Sequence, residues 1–413
     1  MHTHTHTKLG MVVLALVAAG PSLAEETFSQ AIKATKPILD TRLRTEEVDQ
    51  VPLADDAHAL TLRARIGFET GKAWGTSLLV EGEGVVPFDT DYRPDPTIPE
   101  KTTYPVVADP ESYEFNRVQL VNTSLPGTTL TLGRQRINLD DQRFVGAVGW
   151  RQNEQTFDAF RIVNKSVENL TLDATFLNQV NRVFGKESPQ GRYEGDSALL
   201  NAGYQTKIGK ITGFGYLLEF DDIPGVAAAV RDSSSTYGLR FAGEAPAGKA
   251  KIAYMASWAT QSDYADNPLS FEVDYLLAEV TATYKQFGLG AGMEVLDGNG
   301  VKGFTTPLAT LHKFQGWADK FLATPANGLE DVYVNATANL KAVGGLDTLG
   351  LVLSYHDYSA EQVSADYGSE WNASIAAKLK KVSFMLKYAD FQEGVLAAAR
   401  DTEKLWMQVE FIW

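Results

Sequence analysis

Apolar and polar residues alternate with a period of two along most of this chain. In 60–68 (LTLRARIGF), Leu60, Leu62, Ala64, Ile66 and Phe68 fall on one face, and Thr61, Arg63 and Arg65 on the other. The pattern returns in 170–176, 237–241, 287–295, 332–340, 349–355 and 371–379. It closes the chain at Leu405, Met407, Val409, Phe411 and Trp413. Successive side chains of a strand point to opposite faces, so each segment has one apolar and one polar surface. The pattern predicts roughly eighteen strands of about ten residues, a length that crosses a bilayer when tilted. Short connections (71–72, 125–127, 209–210, 245–248, 380–381) alternate with long ones (87–112, 138–155, 180–195, 297–328). The expected fold is all-β: a transmembrane antiparallel β-barrel with short periplasmic turns, long extracellular loops and apolar faces turned to lipid.

A water-soluble sandwich or propeller would also alternate, with its apolar face inward. Three features favour the barrel. Aromatics gather near strand ends, where an interfacial girdle would lie: Phe68, Trp74, Phe220, Trp258, Tyr284, Tyr355, Tyr358, Tyr388 and Trp413. Arg and Glu occupy mid-strand positions that a packed soluble core would not tolerate unpaired. The last strand also ends on a tryptophan instead of fraying into a polar tail.

The first residues follow a different logic. A short basic stretch (1–8), an apolar run (9–20) and small residues up to Ala24 have the form of a signal peptide, residues 1–24. His2, His4 and His6 fall inside that leader. Residues 25–413 are then a single exported outer-membrane barrel domain, located in the cell outer membrane of a Gram-negative bacterium. The chain has no cysteine, which excludes disulfides and thiolate chemistry. Its formal net charge of -15 excludes a nucleic-acid partner, which needs a cationic face. No cofactor or metal is implied.

With apolar faces in lipid, the opposite faces line the lumen. Parity assigns to it Arg42, Arg44, Arg63, Arg65, Glu81, Glu83, Arg117 and Gln119, then Asp173, Glu219, Arg240, Lys251, Glu279, Glu294, Asp331, Lys378, Lys387 and Glu410. Gly213, Gly215, Gly288, Gly290 and Gly292 are placed on the same side. An arginine row on one wall suits passage of an anionic solute; wall-to-wall ion pairs that only satisfy buried charge are compatible with the same residues.

The most singular stretch is 133–160, GRQRINLDDQRFVGAVGWRQNEQTFDAF. Arg134, Arg136, Arg143 and Arg151 stand close in sequence to Asp140, Asp141, Glu154 and Asp158. Folded inward, this loop would narrow the bore and hold guanidinium groups for carboxylates. This run, with the strand number and the aromatic terminus, resembles the alginate-export family of outer-membrane barrels. The resemblance implies a monomeric barrel that passes a polyanion such as alginate through an arginine-rich constriction. Carried onto this chain, it implies a path lined by Arg134, Arg143, Arg151 and Asp158, with Arg63, Arg65 and Arg117 as neighbours. The terminal Phe411 and Trp413 resemble the signal read by the outer-membrane barrel-assembly machinery. Outer-membrane lipid and lipopolysaccharide are the expected surroundings.

Other chemistry is thinly represented. Of the histidines beyond the leader (His58, His312, His356), His356 lies two residues from Ser354 on one strand face, which leaves open a membrane-embedded hydrolase. Asp89, Asp91 and Asp95 offer carboxylates for a calcium ion without the spacing of a known loop. Phe314, Trp317 and Phe321 in the longest loop have helical spacing, which fits a lid or plug over the mouth as well as a packed loop. The expected function is passive diffusion of an anionic solute, an acidic poly- or oligosaccharide such as alginate. A general porin is the alternative, and an enzyme using His356 the second.

Overall fold

The computed structural model describes residues 28–226, 228–396 and 399–413. The expected leader and its cleavage site lie outside these residues. A short helix, Phe28–Lys33, precedes eighteen strands. The first nine are β1 (Lys36–Gln50), β2 (Ala57–Glu69), β3 (Thr76–Asp91), β4 (Ser112–Asn122), β5 (Thr128–Gln135), β6 (Thr156–Asn164), β7 (Leu170–Asn181), β8 (Arg192–Thr206) and β9 (Gly209–Leu218). The rest are β10 (Ser234–Ala247), β11 (Ala250–Asp263), β12 (Glu272–Tyr284), β13 (Phe287–Leu296), β14 (Leu329–Val343), β15 (Leu346–Ser359), β16 (Asp366–Leu379), β17 (Val382–Glu393) and β18 (Thr402–Ile412).

Every strand pairs antiparallel with its sequence neighbours, and β1 pairs with β18, so the sheet closes. Closure removes the two unpaired edges that lipid could not hydrogen-bond. The seam is continuous from Asp40 opposite Ile412 to Gln50 opposite Thr402. Trp413 extends it: its backbone N–H donates to the Leu39 carbonyl at 2.9 Å, and the Lys381 ammonium sits 3.6 Å from its ring centre.

Alternation decides which way each strand faces. Ile66, Phe160, Phe176, Leu239, Leu289, Val334, Leu353 and Ile375 are exposed on the outside, while their neighbours Arg65, Glu294, Asp331 and Ser354 are buried within. Connections at one end are short, as at Gly344–Gly345, where both residues have positive φ (60° and 85°). That is the geometry a two-residue hairpin needs to match strand twist. At the other end, segments 92–111, 136–155, 182–191, 219–233 and 297–328 are long.

Several details differ from the sequence expectation. The turn between β8 and β9 is 207–208, and β10 runs on to Ala247. Glu219 lies in the connection after β9, beyond the strand face assigned to it. Gly213 and Gly215 face outward, because they pair with Leu239 and Tyr237, whose exposed side chains lie over them. Phe220 and Tyr358 are buried and take no part in a girdle: Phe220 packs on Tyr193, and Tyr358 on Phe321. Segment 304–322 has no helix beyond the single 3-10 turn Leu311–Lys313; it runs inward, burying Phe304, Leu308 and Phe321. Its aromatic spacing reports burial in the bore, not helical phase.

Candidate conduction path

Arginine and carboxylate rows face each other on the inner surface of β18, β1, β2, β3 and β4. Arg42 stands opposite both Arg63 and Glu410, and Arg65 opposite Asp40 and Glu83. Antiparallel partners share a face, so this register gathers cations and carboxylates on one wall, with Arg42 beside Arg63 as well as Glu410. Arg42 bonds Glu410 at 2.7 Å, and Arg63 reaches both Asp40 and, at 3.1 Å, Glu410. Arg65 pairs with Glu83, with Glu154 at 3.3 Å and with Asp40 at 3.6 Å. Arg117 makes a two-pronged contact with Glu81 at 2.7 and 2.9 Å. Such planar double contacts are the geometry in which a guanidinium also grips a solute carboxylate.

Segment 136–155 crosses the bore and seals much of this row. The Arg42 guanidinium donates to the carbonyls of Gly149, Trp150 and Arg151 at 3.1–3.2 Å. Gln152 donates to Thr61, and Arg136 pairs with Glu154 and, at 3.3 Å, with Glu81. Consequently the Arg63 side chain is 0% exposed, whereas Arg117 and Arg136 keep 16% and 29%. Those two are the most exposed guanidinium groups of this row.

A second segment, 297–328, joins the first inside the barrel. Val145 and Leu308 form a parallel bridge, and the Gly146 N–H donates to the Leu308 carbonyl at 2.8 Å. Phe144 packs against Phe214, Tyr275 and Phe304, so the β9–β13 side of the bore carries an apolar core that strand parity did not reveal. Parity shows which residues look inward; it does not show that inserted loops will cover them.

Where the two segments meet the wall, charges and rings form a hub. Arg151 bonds Glu46 at 2.8 Å and Asp319 at 3.2 Å, with Asp109 at 3.8 Å. Lys404 reaches Asp319 at 3.0 Å. His312 Nδ1 lies 2.7 Å from Asp319, and its Nε2 lies 2.7 Å from the Lys387 ammonium. A neutral imidazole satisfies both contacts, donating from Nδ1 and accepting at Nε2. Burial lowers the His312 pKa well below its ordinary value, in keeping with that form. Burial would raise Asp319, but His312, Lys404 and Arg151 hold its carboxyl well below the usual range. Nearby Lys320 is pushed down to about 7 by burial and by Lys404. Trp150 stacks on His312 at 4.3 Å, and Arg44 and Lys387 each lie 4.1 Å from its ring centre.

Beyond the inserted loops, a cavity of about 490 Å³ opens against β10–β15, lined by Arg240, Glu279, Lys313, Asp331, Tyr333 and His356 among others. His356 Nδ1 is 3.0 Å from Asp331, and no hydrogen bond joins His356 to Ser354 among the described residues. The serine–histidine contact a hydrolase needs is not formed.

The residues expected along the path therefore separate. Arg63, Arg65, Arg117 and Arg151 gather at the β1–β4 wall. Arg143 is carried to the opposite wall, bonding Glu294 and Thr306 below Tyr275. Arg134 and Asp158 bond each other at 2.7 Å on the outside of the barrel. Arg134 pairs in register with Val118, and the residues two before it and two after Asp158, Leu132 and Phe160, are exposed and apolar. Their nearness in sequence to the inserted loop hid the parity that sends them outward. Asp89, Asp91 and Asp95 do not assemble an ion site among the described residues. Asp95 instead accepts from Thr97, Ser188 and Gln190. Glu46, Asp109, Asp319 and the Trp150–His312–Lys387 contact escaped the sequence reading, since they meet only through loop insertion.

Residues 117–264 match the alginate export family, a segment that contains the inserted 136–155 loop. Comparison with curated proteins finds no similar sequence. Among solved structures, the chain is similar to Pseudomonas aeruginosa OpdK in its structure with vanillate, at 13% identity and a TM-score of 0.70 over 92% of this chain and 99% of that one. It is similar to Acinetobacter baumannii OccAB3 at 11% identity and a TM-score of 0.69, over 92% and 100% of the two chains. Pseudomonas aeruginosa OccK9 (OpdG) gives 14% and 0.68 over 93% and 100%. At these identities the likeness is one of fold: a closed 18-strand barrel of the outer-membrane porin type.

Proposed function

We propose that the protein is an outer-membrane channel through which a carboxylated solute, an acidic saccharide such as an oligouronate, diffuses down its gradient. The fold and the family match point to an outer-membrane channel rather than an enzyme. The observation that carries the finer reading is the row of inward guanidinium groups on β1, β2 and β4, continued by Arg136 of the inserted loop. Carboxylates of the protein already occupy those groups in the geometry a solute carboxylate would adopt. Passage is then an exchange of one carboxylate for another, with little net cost in desolvation and weak enough to release. Two outside facts agree: the matched family is one of alginate export, and OpdK is known with vanillate, itself a carboxylate. The near balance of acids and arginines on this wall makes the preference for anions modest.

Reversal potentials across planar bilayers under a salt gradient test the reading. The wild-type channel is expected to favour anions and to be blocked by oligouronates. Arg117→Glu with Arg136→Glu should abolish both. A channel without anion preference, or one in which the double variant behaves as wild type, would leave a general porin as the better description.

A further inference from the structure

The outer surface of the barrel carries a cationic feature that a conduction path does not use. On β5 and β6 the outward apolar rows, Leu130 with Leu132 and Ile162 with Phe160, stop short and give way to Arg134 and Asp158. Above this step is a groove of about 460 Å³ lined by Gly82, Tyr113, Glu114, Phe115, Arg134, Lys186 and Arg192. It lies at the end of the barrel where β4 and β8 begin and β5 ends, beside the long 182–191 connection. Tyr113 and Phe115 are exposed on the outer face. Glycines on β3 make room for them: Gly84 lies opposite Tyr113, and Gly82 opposite Phe115.

The cations are unevenly used. Arg134 is taken by Asp158 at 2.7 and 2.9 Å and by the Phe115 carbonyl at 3.0 Å. Asp158 is further satisfied by Asn181 at 3.1 Å. The Arg192 side chain forms no hydrogen bond or ion pair among the described residues, although its Nε is shielded from solvent. Lys186 has only Glu187 at 3.8 Å on the surface. Glu114 also lines the groove, but it pairs in register with the inward-facing Glu83 and bonds Asn153 of the inserted loop. With Arg134 answered by Asp158 and Lys186 close to Glu187, Arg192 is the groove cation that no carboxylate contacts among the described residues.

We infer that this ledge binds the phosphate groups of the outer-leaflet lipid, with Arg192 and Lys186 as ligands and Tyr113 and Phe115 lying along its acyl chains. A guanidinium held at the upper boundary of an apolar band meets the depth at which lipid phosphates lie. Aromatic rings there present an apolar body to the chains and, in Tyr113, a hydroxyl to the headgroups. The inference rests on the outer-membrane location in the proposed function and not on the solute preference of the bore.

The full chain purified in detergent tests it, with bisphosphorylated lipid A, its dephosphorylated counterpart and inorganic phosphate as probes, each titrated by native mass spectrometry or thermal shift. Wild type should bind the bisphosphorylated lipid at least about tenfold tighter than the dephosphorylated one, and Lys186→Glu with Arg192→Glu should erase that difference. Neither side chain bonds another strand or loop among the described residues, and Lys285→Glu with Lys380→Glu at the opposite rim matches the change in charge. Equal affinity for the two lipids, or an unchanged double variant, would overturn the inference. Inorganic phosphate alone competing as strongly as the lipid would show an anion site without lipid specificity and would overturn it too. A protein that never entered micelles would instead count against the outer-membrane reading.

Discussion

Replacing Arg151 with alanine should release the inserted loop from the bore. In the docked state Arg151 faces three carboxylates, at 2.8, 3.2 and 3.8 Å, and its side chain is only 9% exposed. Two of them keep other partners: Asp109 has Arg44 at 3.7 Å and the Gln152 N–H, and Asp319 has Lys404 and His312. Among the described residues Glu46 has no other ion pair, and it is almost fully buried. Stranding one buried carboxylate costs about 3–5 kcal/mol, and the partners left to the other two argue for the lower end. Release of the loop rehydrates Glu46, so the cost falls on the docked state alone. About 3 kcal/mol raises the undocked fraction roughly a hundredfold. Because the chain has no cysteine, a single Ala147→Cys reporter at a buried loop position reads that fraction by its maleimide labelling rate. Arg151→Ala should speed labelling by about two orders of magnitude and raise single-channel conductance, and adding Glu46→Ala should restore most of the original rate. Labelling and conductance unchanged by Arg151→Ala would refute the idea that this hub holds the loop.

Acid should also loosen the insertion. His312 is kept neutral by burial, facing Asp319, Lys387 and Trp150, so its docked pKa lies below that of the released loop. Docking strength is then complete above pH ~6.5 and falls by about 1.4 kcal/mol per unit below it, until His312 protonates in place. Asp319, held low, adds a loss in the same direction only below its ordinary value near ~4. Lys320, with its pKa at about 7, acts in the range from there up to ~10.4, and its contribution is nearly constant below pH ~6.5. Conductance recorded from pH ~6.5 to ~5 should rise in wild type and stay nearly level in His312→Gln; a flat wild-type profile would disprove the link. Arg65→Ala should strand Glu83, whose ion pair among the described residues is with Arg65, and cost about 3 kcal/mol, visible as a lower temperature of conversion on heat-modifiability gels. Adding Glu83→Gln should recover part of the loss, and no recovery would place the cost elsewhere. Trp413→Ala removes a cation–π contact worth about 1 kcal/mol, so detergent stability should change little while the amount reaching the outer membrane falls severalfold. Equal amounts in membranes would argue against Trp413 as an assembly signal.

The alternation of residues was enough to predict the barrel, because a strand's two faces follow from backbone geometry and lipid tolerates only one kind of face. It also placed Arg42, Arg63, Arg65, Arg117, Glu294 and Asp331 inside, and the strand number followed from spacing. Parity fails where a strand bulges or where the reader leaves the strand. Arg134 and Asp158 look like part of the loop they adjoin, yet the ladder through Val118 and Phe160 turns them to the outside. The sequence suggested that loops 133–160 and 297–328 could enter or cover the bore, but not which charges they would meet there. Glu46, Asp109, Arg151, Asp319 and Lys404 come from β1, three loops and β18, and only the folding of 136–155 and 297–328 into the lumen brings their charges within a few ångströms. Local periodicity records the solvent each face meets; the partners of a buried charge depend on long-range closure, which no short window of sequence contains.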